Sequence, residues 1–265
     1  MKTVMVLIHD DAGQDARLQS ALDVVRAVEG HLLCLDVVRM PVIADGVGVG
    51  SASAMLIIDE REREDDNINR LDPRIASEGV SYEWARVQSN SDVAITDNAR
   101  LVDLIVVGRQ GMGEATETGD IAARLAEHTS APILLVPTEQ TSLNLSGKAL
   151  VMWDASAPAD AAVRSAVPLL KLASEVEVLT IGDTDSDADP SEAADYLARH
   201  GCHASARRVA KSGDITAQLL DAFTNSGASW CVMGSYGHSR LREQLFGGTT
   251  KTLLAKAPIP LLVSH

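Results

Sequence analysis

The chain has 265 residues, 46% of them apolar and 3% aromatic, and its 23 Lys and Arg stand against 37 Asp and Glu for a formal charge of −14. That length accommodates two domains of about 130 residues, each able to bury an aliphatic core. The charge excludes an exterior that attracts nucleic acid or anionic membrane, and the scarcity of aromatics excludes a base-stacking platform.

The opening "MKTVMVLIHDD" is a short apolar run ending in two aspartates, with no small-residue cleavage site. No later run approaches the roughly 20 apolar residues of a membrane span. The expectation is a soluble, cytoplasmic protein. Helix-patterned "LQSALDVVRAVEG" and the strand-like run "HLLCLDVV" follow. Next comes "MPVIADGVGVGSASAMLIIDEREREDDNINRL", a glycine-rich loop (residues 40–54) leading into a charged helix. It suits either a lid or partner surface, or a solvated loop and amphipathic helix. "GVSYEWARV" and "DLIVVGRQG" then supply a third and a fourth strand, the latter ending in Gly108-x-x-Gly111, and "SAPILLVP" closes the half. The polar "TEQTSLNLSG" is the expected linker.

After the linker the pattern repeats. "KALVMWDAS", "AAVRSAVPLLKLAS", "EVEVLTIG", "GCHASARRV", "SWCVMGSYG" and "APIPLLVSH" take up the same roles in the same order. "DTDSDADP" lacks the Gly and the closing Glu of a calcium loop, and is an acidic turn capping a helix that starts near Ser191. Each half is therefore β-α-β-α-β-α-β-α-β, which implies a parallel sheet covered on both faces. The domains expected are residues 1–140 and 147–265. Cys34, Cys202 and Cys231 form no C-x-x-C pair and are expected to be reduced, structural thiols.

The repeated element after the fourth strand, "GSYGHSRLREQLFGGTT" in the second half, resembles the universal stress protein motif G-x2-G-x9-G-[ST]-x-[ST], and the whole chain resembles the tandem form of that family. The resemblance implies two similar doubly wound, five-stranded parallel-sheet domains, Rossmann-like and related by pseudo-twofold symmetry. It also implies an adenine nucleotide, ATP with or without Mg²⁺, at the carboxyl ends of the strands. Such a place suits phosphate: glycines admit a close approach of backbone N–H groups, and the next helix presents its N-terminal dipole.

Carried over residue by residue, the motif falls on Gly234, Gly237 and Gly247, with Gly248 at the first hydroxyl position, then Thr249 and Thr250. Asp154 matches the acidic residue that meets ribose or adenine, with helix capping as its other reading. Ile181 occupies the place whose backbone meets the adenine ring, and Met152 stands where some binders have proline. His238, Arg240 and Arg242 bring positive charge nearby. The first half departs from the pattern: its loop is two residues shorter, Asp120 replaces a hydroxyl, and Glu114 and Glu117 add repulsion. It is expected to be a degenerate copy, capped from within.

A Walker loop, a nucleophile elbow and a zinc-helix motif are all absent from the sequence. The expectation is a nonenzymatic stress-response protein that switches on adenine nucleotide, with slow ATP hydrolysis at most. The alternative is a nucleotide-free pseudo-dimer that recruits a protein partner. In either reading the tandem halves form an intramolecular pseudo-dimer, with a further homodimer left open, and neither nucleic acid nor membrane is a partner.

Overall fold

The computed structural model describes residues 1–38, 51–88, 92–109, 125, 128–182, 188–234 and 248–264, without side-chain detail at 51–57, 60, 88, 92–94 and 248–251. In the first half the elements are β1 (Thr3–Ile8), α1 (Gln14–Val28), β2 (His31–Val38), α2 (Ser51–Ser77), β3 (Ser81–Gln88), α3 (Asp92–Asn98), β4 (Leu104–Gly108) and β5 (Ile133–Val136). The second half supplies β6 (Ala149–Met152), α4 (Ala157–Leu170), β7 (Val176–Ile181), α5 (Pro190–Arg199), β8 (Ala204–Val209), α6 (Ile215–Asn225), β9 (Trp230–Gly234), α7 (Gly248–Lys256) and β10 (Leu261–Ser264).

Continuous apolar runs become strands buried on both faces, as parallel sheets require. Along β1, Val4, Val6 and Ile8 face the layer that holds Leu18, Leu22 and Val25 of α1, while Met5 and Leu7 face the opposite layer. Polar residues mark where helices begin. Ser156 accepts from Ala159 N at 3.3 Å to start α4, Asp189 from Ser191 N at 3.0 Å to start α5, and Asp214 from Thr216 N at 3.2 Å to start α6. The acidic turn expected before Ser191 does cap that helix, through Asp189. All three cysteines are buried and free, as expected.

The ten strands form one sheet in the order β3-β2-β1-β4-β5-β10-β9-β6-β7-β8. All neighbours run parallel except β5 and β10, which are antiparallel and join the halves. Leu262 pairs with Leu134, Leu261 with Leu135 and Val263 with Ile133. Aligning "SAPILLVP" with "APIPLLVSH" on Pro132 and Pro260 makes Leu134 and Leu262 equivalent, so the pseudo-twofold axis passes through a pair of like residues. The segment between the halves is less of a spacer than its polarity suggests. Leu143 and Leu145 are buried in the layer beneath α1, and Leu143 N donates to Asp23 Oδ2 at 2.7 Å. Arg109, at the end of β4, donates through Nη2 to Ile259 O at 3.3 Å, across the join.

Candidate functional site

In each half the chain winds one way from β1 (or β6) and the other way from β4 (or β9), so a crevice opens beyond the carboxyl ends of those two strands. In the second half Met152 pairs with Leu179 on one side and Met233 on the other. The residues just beyond these pairs lie at one edge: Asp154 after β6, Ile181 ending β7 and Gly234 ending β9. Three of the site residues inferred from sequence are thus brought to adjacent strand ends.

The turn after β6 is tightly specified. Thr180 Oγ1 donates to Trp153 O at 2.7 Å, Trp153 Nε1 donates to Asp160 Oδ1 at 2.9 Å, and Ala155 adopts φ 61°. Asp154 is exposed, and its Oδ1 accepts from Ser156 N at 3.1 Å. The helix-capping role considered for Asp154 therefore belongs to Ser156. Only a side chain one residue before the first helical turn reaches the N–H at the third helical position, and Asp154 lies two residues upstream, in an Asx turn.

Gly234 is fixed by packing. A Cβ there would stand 2.5 Å from Ala159 N and 2.7 Å from the Pro158 carbonyl carbon, so β9 ends in backbone contact with the first turn of α4. Ile181 is partly buried, and Gly182 N donates to Val209 O at 3.0 Å beyond it. Gly248, Thr249 and Thr250 form the first turn of α7, which leads from β9 to β10 and so begins near the strand ends. Gly237, Gly247, His238, Arg240 and Arg242 lie outside the described residues, as do Asp120, Glu114 and Glu117.

The equivalent place in the first half is filled by the chain's own side chains. His9, just past β1, pairs through Nδ1 with Glu64 of α2 at 2.8 Å. Arg17 of α1 is buried; its Nε donates to Leu7 O at 2.9 Å, Nη2 to His9 O at 3.1 Å and Nη1 to Asp11 Oδ1 at 2.9 Å. Gln14 and Asn67 exchange two amide bonds of 2.8 Å between α1 and α2. Arg86 of β3 bonds Asp36 of β2 and reaches Asp65 of α2 at 2.7 Å.

Burial pushes the Asp36 carboxyl up to about 6, because Arg86 offsets only part of the desolvation and Glu64 adds repulsion. Burial acts on Glu64 in the same direction, but His9, the Asn67 amide and the Asp10 N–H outweigh it and hold that carboxyl below its ordinary range. The sequence contained a clue to this cluster, since Asp36 interrupts the apolar run "HLLCLDVV". Its partners are scattered over three other elements, so the assembly was invisible before folding.

Two doubly wound α/β domains joined edge to edge, each with a crevice at the carboxyl ends of its strands that side chains fill in the first half, define the fold class. The second half is similar to the universal stress protein family, and the tandem form of that family fits the length and internal repeat of the whole chain. The Universal stress protein family model matches residues 146–265. A universal stress protein of Synechocystis sp. is 24% identical over 168 residues, covering 60% of this chain and 57% of that protein, so the chain spans little more than half of that relative's length. Among solved structures, a universal stress protein from Archaeoglobus fulgidus superposes with a TM-score of 0.78 at 17% identity, covering 99% of this chain and 95% of that one. A functionally unknown protein from Pseudomonas aeruginosa PAO1 gives 0.65 at 18% identity over 100% of this chain and 92% of its own. The two structural likenesses show the shared fold across both halves. Among the described residues no helix is long and apolar enough to cross a membrane.

Proposed function

We propose that the second half binds one adenine nucleotide, ATP with Mg²⁺, and that the protein uses it as a nonenzymatic switch in a stress response. The observation that carries this reading is the asymmetry between the crevices. In the first half, ion pairs and amides from α1, α2 and β3 fill the strand ends. In the second, the turn after β6 leaves Asp154 exposed beside the ends of β7 and β9.

Asp154 would accept from ribose or adenine hydrogen-bond donors, and the backbone of Ile181 would meet the adenine ring. Gly237, Gly247 and the first turn of α7, with Thr249 and Thr250, would cradle the phosphates through N–H groups and hydroxyls. The missing hydroxyl at Gly248 weakens the cradle without abolishing it.

Calorimetric titration of the full chain with ATP and Mg²⁺ tests the reading. One site per chain is expected, lost in Gly237→Val and Gly247→Val, where a branched side chain occupies the phosphate's space. Mass spectrometry of ligand released from the purified protein should identify the same nucleotide. Absence of binding at millimolar ATP would refute the reading and leave the nucleotide-free, partner-recruiting module in its place.

A further inference from the structure

Thr180 is a polar residue buried inside the sheet of the second half. Its side chain lies at 2% exposure, and Oγ1 donates to Trp153 O at 2.7 Å. The bond runs from the residue before Ile181 to the residue before Asp154, so it ties together the two strand ends assigned to the adenosine side of the nucleotide. Trp153 is held twice more, its N–H donating to Leu179 O at 3.0 Å and its Nε1 to Asp160 Oδ1 at 2.9 Å. The turn fastened in this way carries Ala155 at φ 61°, a left-handed backbone that favours glycine, and brings Ser156 N to Asp154 Oδ1 at 3.1 Å. An alanine stays in that region only where its surroundings over-determine it.

The first half offers an internal comparison. Val4 pairs with Leu104 and Leu32, and Ala149 pairs with Trp230 and Val176 in the same relation. Along the strands from those points, Asp36 stands where Thr180 does, and His9 where Asp154 does. Asp36 bonds Arg86, and the carbonyls of the turn are held instead by Arg17, which donates to Leu7 O and His9 O. The buried hydroxyl and the exposed carboxylate thus occur together in the second half. Both are replaced in the half whose crevice is filled from within.

We propose that Thr180 is a positioning residue for nucleotide binding: its hydroxyl, acting through Trp153 O, holds the turn after β6 so that Asp154 faces the ribose or adenine donors beside Ile181. This role rests on the nucleotide reading above and gives that site its rigidity. Asp160 acts in the same sense from α4, through the Trp153 indole. Both side chains work through Trp153 and not by contact with the nucleotide.

Amide-exchange NMR and calorimetry on the full chain test the role. Without nucleotide, Thr180→Val keeps the shape of the side chain but removes the donor, and should speed exchange of the Ser156 N–H about tenfold, the order of one hydrogen bond lost. Thr180→Ser should keep the wild-type rate. With ATP and Mg²⁺, Thr180→Val should lower affinity about fivefold and Thr180→Ser should restore it. In an Asp154→Ala background Thr180→Val should have no further effect, because both changes remove the same contact. Asp160→Ala, at a half-buried position on α4, should reproduce both effects and serves if Thr180→Val does not fold. A wild-type chain that binds no ATP refutes the nucleotide reading itself, and the positioning role falls with it. Where the wild type binds ATP, unchanged Ser156 exchange or unchanged affinity in Thr180→Val, or full additivity with Asp154→Ala, would overturn the positioning role alone.

Discussion

Gly234 has two reasons to be glycine, and they make different demands. The family motif assigns it to the phosphate loop, whereas the geometry gives it a packing duty: a Cβ would meet Ala159 N at 2.5 Å. The neighbouring atoms are helix backbone, which cannot yield as a flexible side chain would. Gly234→Ala should therefore destabilise the chain by about 1–3 kcal/mol, the usual cost of overpacking, and urea denaturation without nucleotide would measure it. Unchanged stability would show that β9 and α4 are free to move apart. A binding defect in this variant would say little about phosphate, which is why Gly237 and Gly247 are the better probes of the loop. Sequence spacing located Gly234 correctly at a strand end, but spacing carries no information about which neighbour forbids a side chain.

At the scale of elements, the strands were legible because burial on both faces leaves continuous apolar runs, and "DLIVV" and "SWCVM" could hardly do anything else. The segment between the halves was less legible. In "TEQTSLNLSG" two leucines sit among polar residues, and nothing local says that they reach the core. They do so because the antiparallel join of β5 to β10 sends the chain back beneath α1, a tertiary consequence that local pattern does not encode. Leu143 is 5% exposed, and its N–H is held by Asp23. Leu143→Ala should cost about 2–4 kcal/mol through the lost transfer energy and the cavity left behind. Thermal or urea unfolding checks this, and a loss below about 0.5 kcal/mol, the range of ordinary surface substitutions, would return the segment to a passive spacer. The first-half crevice was illegible for a related reason. Shortened loops and acidic replacements could suggest a degenerate copy, but His9, Asp36, Glu64 and Arg86 lie on or beside four different elements and meet only in the folded sheet.

For the whole molecule, the pseudo-twofold axis through Leu134 and Leu262 makes the join between the halves a surface that each half could offer to a copy of itself. In the intact chain β10 is covered by β5, so neither strand is an open edge. Cutting the second half free at residues 147–265 uncovers β10, whose Leu261, Leu262 and Val263 are all at most 1% exposed in the intact chain. Because the like residues Leu134 and Leu262 already pair across the axis, a second copy of β10 can take the place of β5 with Leu262 opposite Leu262 and the same antiparallel register. The isolated second half should therefore be a homodimer, while the full chain, with its edge satisfied internally, has no need of that contact. Light scattering coupled to size exclusion distinguishes the cases, and Leu262→Asp in the isolated half should return it to monomer by placing two like charges on the axis. A folded, monomeric wild-type second half would show that the β5–β10 join relies on features peculiar to the first half, the reach of Arg109 to Ile259 O being the foremost of them.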